Sequence, residues 1–546
     1  MDITIPEGRP NKRFMRYVRP PVNEKSTPLF PLRPHTRPLR LGIDVETIPE
    51  PPDGYLADFL TREEIEVHLL MPQGREHPLE AWARLLGNPV LHTVNFTTVA
   101  EAGRFADAAE FHITIRSERE EGWSNARFFP MLQQLDDQTA TADSPILSID
   151  ERHTAAAYAA GAGAVELDAI VTNRATANRT DVGDNDIVIA VPPDDAVALI
   201  GHYLRVTSNP IVAISRGQLL GGGTWETTES TGTIVNSYLW GVASAMPYFD
   251  FAASLAGGAQ GGPKAAEAFQ SILIRLGRAA RALDHLLAAL SNPLDKRHED
   301  VVEAAAEAFD RELLYLAAAF DIYGRLYVWL LDPSQELKKI RNQSLDSRDF
   351  IKKQVKTQYD ESLLADVVRL QKYAWVCKQL RNHVHDGILD VVPQPGRRYG
   401  NATTVALMLS SISDFAPEAG NLDRDHYDGL GVWLADALTP FSSKTMVADL
   451  ATAGFTLMGA ALGYVEAFTK LIIRNKPAVA IAAEKAAEQA GADQDGDAES
   501  PHTSPLPRPS RFLGCVQAQP GETEPPLPKK AQFHKAIFGW HPETMA

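Results

Sequence analysis

The sequence predicts an α/β N-terminal region, a sheet flanked by helices, followed by an all-α helical bundle, with disordered termini. Two observations predict it. Short β-branched runs alternate with helical segments through residues 41–250. Beyond residue 264, long stripes of apolar residues recur at every third or fourth position. A Gly-rich stretch, 251–263, separates the two patterns and reads as a linker.

Residues 1–40 carry eight prolines and nine Lys/Arg against three Asp/Glu, the composition of a disordered basic arm. Strands are expected at 39–45, 89–96, 110–116, 164–172, 186–191 and 209–214, with helices at 97–107, 151–162 and 193–206. Asp194 and Asp195 behind two prolines make a good start for the last of these helices. In the second half, Phe269, Ile272, Leu276, Leu283, Leu287 and Leu290 form one helical stripe, and a second helix spans about 298–331. A third covers about 360–390, and further helices are expected at 402–413, 427–437 and 445–474, giving an α-bundle over 264–475. Residues 476–546 turn Ala/Glu-rich, then Pro/Ser-rich, a low-complexity tail. It ends in an apolar segment with Phe533, Ile537, Phe538 and Trp540 that suits docking to a protein partner.

Bulk properties exclude several classes. A net charge of −17 argues against a whole-surface polyanion binder and leaves room for a local basic groove. Cys377 and Cys515, the only cysteines, build neither a disulfide framework nor a CxxC metal knuckle, so a reducing, cytoplasmic setting is expected. The apolar windows 313–331 and 451–465 read as buried helices rather than membrane spans, because Asp321 and Arg325 break the first and the second is short. No cofactor motif occurs: the glycines of 216–225 lack the Gly-Lys-Ser/Thr of a phosphate loop, and no nucleophile elbow, HExxH helix or dinucleotide fingerprint is present. His153 and His202 stand alone, without ligand spacing, and read as surface or capped residues.

The segment KQLRNHVHDG, 378–387, carries the densest chemistry. The apolar stripe of the third helix runs Leu363, Val367, Leu370, Ala374, Cys377, then Arg381, then Val384 and Ile388. A permanent cation thus fills a slot the pattern reserves for a hydrophobe, and His385 follows one turn along the same face. Cleaving RNA without metal needs a base for the ribose 2′-OH, a cation for the developing phosphorane charge, and a donor for phosphate oxygens. His385, Arg381 and Asn382 are of those types. His383 lies on another face. The same residues also suit an ordinary helix C-terminus, where cations meet exposed carbonyls.

Leu-Arg-Asn-x-x-His at the end of a bundle helix resembles the HEPN superfamily, with Arg381, Asn382 and His385 as the motif and a shorter Arg-to-His interval than the family's usual one. The resemblance covers roughly 264–475. It implies a metal-independent endoribonuclease or a binding-only relative, RNA as partner, a homodimer with two motifs facing each other, and a place in toxin–antitoxin or antiviral defence. Arg397, Arg398 and Tyr399 in the following loop would extend the groove, with Tyr399 as a stacking platform. The competing reading is a non-catalytic helical interaction or regulatory protein. A fainter resemblance, to PIN nucleases, lies at 151–175: Asp168 and Thr172 fit the strand motif, Arg174 stands where its last acid belongs, and Asp44 and Glu46 would be the other carboxylates. The arginine argues against a working metal site and for a degenerate or regulatory domain. Asp168 also reads simply as a strand-end residue bonded to loop amides.

Overall fold

The computed structural model describes residues 3–6, 38–62, 64–74, 79–101, 109–128, 149–174, 188–207, 211–214, 225–227, 231–257, 262–290, 298–386, 389–394, 404–435, 444–492 and 529–539. The first half is α/β. Its strands are β1 (Leu39–Asp44), β2 (Ile65–Pro72), β3 (Val90–Glu101), β4 (Ala109–Arg116), β5 (Glu121–Phe128), β6 (Ala169–Val171) and β7 (Ile189–Val191). They form one sheet in the order β5-β4-β3-β2-β1-β6-β7. β1 pairs parallel with both β2 and β6, while β4 and β5 extend the β3 edge as an antiparallel hairpin. The chain winds outward from β1 in one direction through β2 and β3, then returns to β1's other side at β6. The crevice between the carboxyl ends of β1 and β6 is therefore the switch point, where such sheets present ligand-binding groups.

Helices cover both faces. α1 (Tyr55–Leu60) and α2 (Glu80–Leu86) connect the first strands, α3 (Ile149–Ala164) precedes β6, and α4 (Pro193–Val206) follows β7. Leu70, Val94, Ile113, Ile115 and Ile170 pack on Ala157, Tyr158 and Ala160 of α3. Leu41, Ile43, Leu69 and Val171 face the opposite way, into a larger core. Pro193 occupies the first turn of α4, where its missing N–H costs nothing, and Asp194 and Asp195 suit the positive end of the helix dipole. A short antiparallel pair follows, β8 (Ile211–Ile214) and β9 (Trp225–Thr227).

The second half is helical: α5 (Thr231–Ser244), α6 (Pro247–Gly257), α7 (Gly262–Leu290), α8 (His298–Leu331) and α9 (Ala365–Asp386). Then β10 (Val391–Gln394), β11 (Thr404–Met408), α10 (Arg424–Gly429), β12 (Val432–Ala435) and β13 (Thr445–Asp449) lead to α11 (Leu450–Arg474) and α12 (Ala478–Ala492). The last element is α13 (Lys529–Phe538). The long amphipathic helices α7, α8, α9 and α11 bury Phe269, Phe309, Phe320, Tyr323, Cys377, Tyr464 and Phe468 in the core that also takes Leu41 and Ile43. α8 and the run Leu450–Ala483 are long and apolar enough to cross a membrane by length and composition, and most of each is packed inside the molecule.

Several expectations change. Residues 97–101, expected helical, continue β3, and β2 and β5 lie where no strand was expected. The linker at 251–263 is largely the ends of α6 and α7. Within the bundle, the runs at 402–413 and 427–437 supply β11 and β12. These join β10 and β13 in a four-stranded antiparallel sheet, order β10-β11-β13-β12, so the helical half is not purely α. The tail is not uniformly without structure, because α12 and α13 are helices. Residues 3–6 also depart from the disordered arm: Ile5 is buried, and Leu434 N donates to Pro6 O at 2.9 Å, covering the open edge of β12.

Candidate functional site

α9 buries Val367, Leu370, Ala374, Cys377 and Leu380. Leu363 lies outside the helix and is exposed, so the stripe starts one turn later than its spacing suggests. Arg381 follows this stripe and is half-buried. Its Nη1 donates to Asn382 Oδ1 at 3.2 Å, and its Nε is buried without a hydrogen-bond partner. Among the described residues no carboxylate forms an ion pair with it. Asn382 and His383 are half-buried, and His385 is exposed in the last turn. The helix is continuous through Asp386, which keeps His385 one turn from Arg381, although no hydrogen bond joins His385 to Arg381 or Asn382 among the described residues. Arg397, Arg398 and Tyr399 lie outside the described residues.

At the switch point four of the five PIN-like positions meet. Thr172 Oγ1 donates to Asp44 Oδ2 at 2.8 Å. Arg174 bridges both acids, with Nε 2.7 Å from Asp44 Oδ2 and Nη2 2.6 Å from Glu46 Oε2. Its guanidinium lies 5.1 Å from the ring centre of Tyr158. Burial, and the Asp44 carboxylate beside it, push the Tyr158 phenol up. The position expected to weaken a metal site thus carries the cation that neutralises the carboxylates. Asp168 is not part of this group. It sits at the entry to β6, the other end of the strand, where its Oδ2 accepts from Arg40 N at 2.9 Å. That is the structural role of a strand-end aspartate.

A second polar cluster lies on the α3 face of the sheet, toward the amino ends of β1–β3. His68 on β2 and His92 on β3 are both buried, with His68 Nδ1 2.8 Å from His92 Nε2. Glu66, Glu120 and Arg40 surround them. None of these residues carries a spacing signal in the sequence, because the four elements that supply them, β1, β2, β3 and the β4–β5 turn, meet only when the sheet forms. The one signal is a histidine inside each of two largely apolar stretches, IEVHLL and VLHTV.

His202 is not at the surface. It is buried and pairs through Nδ1 with Asp284 at 3.1 Å. Arg205 and Tyr238 complete the group, at 2.6 and 2.8 Å from Asp284 Oδ2. Burial alone would raise Asp284, but Arg205 and the His202 hydrogen bond hold its carboxyl well below the usual range.

The fold and these clusters define an α/β sheet protein joined to a helical half, with an arginine at one helix end that has no carboxylate partner among the described residues. No family model, curated protein or solved structure matches the chain.

Proposed function

We propose that the end of α9 is a phosphate-binding site for RNA, used for metal-independent cleavage or for binding alone. Arg381 carries the reading. Four arginines with largely buried side chains are each matched to a carboxylate: Arg40 to Glu120, Arg62 to Glu64, Arg174 to Asp44, Arg205 to Asp284. Arg381 is half-buried and bonded only to its neighbour Asn382 among the described residues. A desolvated guanidinium without a carboxylate calls for an anion, and its fork suits phosphate.

The chemistry follows from the side chains. A base removes the ribose 2′-OH proton and the oxygen attacks the adjacent phosphorus. The 5′-oxygen leaves with a proton from an acid, producing a 2′,3′-cyclic phosphate and a 5′-hydroxyl. Arg381 stabilises the phosphorane charge. Asn382, whose carbonyl is held by Arg381, keeps its amide N–H groups for a phosphate oxygen. His385 is the base. The acid is His385 of a second copy of this chain, which makes the nuclease a homodimer. A role in toxin–antitoxin or antiviral defence belongs to the same proposal.

The exposure of His385 favours the second reading, a helical interaction protein that binds without cutting. End-labelled single-stranded RNA in EDTA separates the two. The nuclease reading expects cleavage to cyclic phosphate ends, with Arg381→Ala and His385→Ala each lowering the rate by about a hundredfold. Growth arrest on expression should follow the same order. Wild type and both variants behaving alike would remove the enzymatic proposal; RNA retention lost only in Arg381→Ala, with no cutting, would leave the binding one.

A further inference from the structure

In the His68–His92 cluster, possible metal-ligand atoms converge. Three ligand atoms from three different places in the sheet converge: His68 Nδ1, His92 Nε2, and Glu120 Oε1 from the β4–β5 turn. Their separations are 2.8 Å between the nitrogens, 3.5 Å from His92 to Glu120 and 3.9 Å from His68 to Glu120. A triangle with those sides encloses a point about 2.0 Å from every corner, the length of a zinc–imidazole or zinc–carboxylate bond.

The surroundings fit the same assignment. His68 Nε2 lies 3.1 Å from Glu66 Oε1. Arg40 Nε also approaches that nitrogen, at 3.4 Å; with Arg40 displaced, the Glu66 carboxylate would hold the N–H there and leave Nδ1 as a lone pair, the outer-shell arrangement that metal-bound histidines use. His92 Nδ1 is buried with no hydrogen-bond partner. Among the described residues its polar contacts run through Nε2, the nitrogen at the convergence point.

We propose that His68, His92 and Glu120 bind one divalent transition-metal ion of the zinc class, with Glu66 orienting His68 and a water completing the shell on the side of Glu120. Arg40 is the ion's competitor. Its Nη2 lies 2.5 Å from Glu120 Oε1, where it supplies the positive charge the metal would bring. An entering ion displaces that pair. Arg40 keeps its bond to Val165 O, at 2.7 Å, and moves toward Glu66, now 3.7 Å away. The ion would tie β2, β3 and the β4–β5 hairpin together beneath α3.

The test uses full-length protein stripped with chelator, dialysed against zinc chloride and assayed for bound zinc. One equivalent should be retained by the wild type and lost in His92→Gln and Glu120→Gln. Arg40→Gln should bind about tenfold more tightly, because a cation is removed from the site. Circular dichroism in EDTA checks that each variant folds as the wild type does. If the glutamine variants fail to fold, cobalt(II) decides on the wild type alone: visible absorption of a four-coordinate nitrogen/oxygen site supports the assignment, and its absence overturns it. No retained zinc in the wild type, or equal retention in folded His92→Gln and Glu120→Gln, would reduce the cluster to a hydrogen-bonded network.

Discussion

A carboxyl group without a partner is among the costliest things a helix core can hold, and Glu312 is one. It lies on α8, fully buried, with both oxygens lacking hydrogen bonds. Gly454 of α11 leaves it room: a Cβ there would sit 3.1 Å from Glu312 Oε2. Burial pushes its pKa well above the ordinary 4.5. The unfolded chain then ionises near 4.5 while the folded chain keeps its proton, so unfolding releases a proton above that pH. Stability from this group is full below the unfolded pKa and falls by about 1.4 kcal/mol per pH unit above it, until the folded pKa is reached. Glu312→Met should therefore raise the thermal midpoint more at pH 8 than at pH 5. A difference that does not change with pH, in parallel melts, would contradict this. Arg381 is the opposite case, a cation at the helix end rather than an acid in its middle. Only the structure separates the two, since each interrupts an apolar stripe in the same way.

At the scale of elements, the long helices were the legible part of the sequence. α8 spans the 298–331 its periodicity indicates, because a continuous amphipathic stripe leaves no competing pattern. The strand β2 was hidden. Glu66 and His68 interrupt its hydrophobic run, and they do so because they belong to the buried histidine cluster. β11 and β12 were read as helices because short apolar runs fit either period, and their partners in the sheet are distant in sequence. Of the candidate site, the Arg–Asn pair was legible from local spacing, whereas the zinc-class cluster is assembled from three separate elements. The C-terminal segment was rightly apolar but docks on its own chain. Phe533 packs against Tyr55 and Phe59, and Phe538 sits under Arg205 and beside Tyr238. Gly241 of α5 makes that seat: a Cβ there would meet the Phe538 ring. Gly241→Ala should destabilise the protein by about 1–3 kcal/mol through overpacking. It should also speed amide exchange selectively in 529–538. Unchanged exchange there would show that α13 tolerates the methyl group.

At the scale of the whole molecule, one apolar core runs from Leu41 of β1 to Tyr464 of α11, and Asp284 ties α4, α5 and α7 together within it. Removing one partner of such a buried ion pair costs about 3–5 kcal/mol. Asp284→Asn should thus lower a single calorimetric transition; a split into two transitions would show that the halves unfold separately. The net charge of −17 sets the terms for RNA as well. General electrostatics oppose binding, so the affinity must come from a local cation, and Arg381, half-buried and paired with no carboxylate among the described residues, is the proposed one. Fluorescence anisotropy of a labelled single-stranded RNA with full-length protein, across a salt series, tests this most directly. The wild type should bind at low salt, and Arg381→Ala should bind at least about tenfold more weakly with a salt dependence reduced by roughly one counterion. Superimposable isotherms for the two proteins, or no binding by the wild type at low salt, would contradict it.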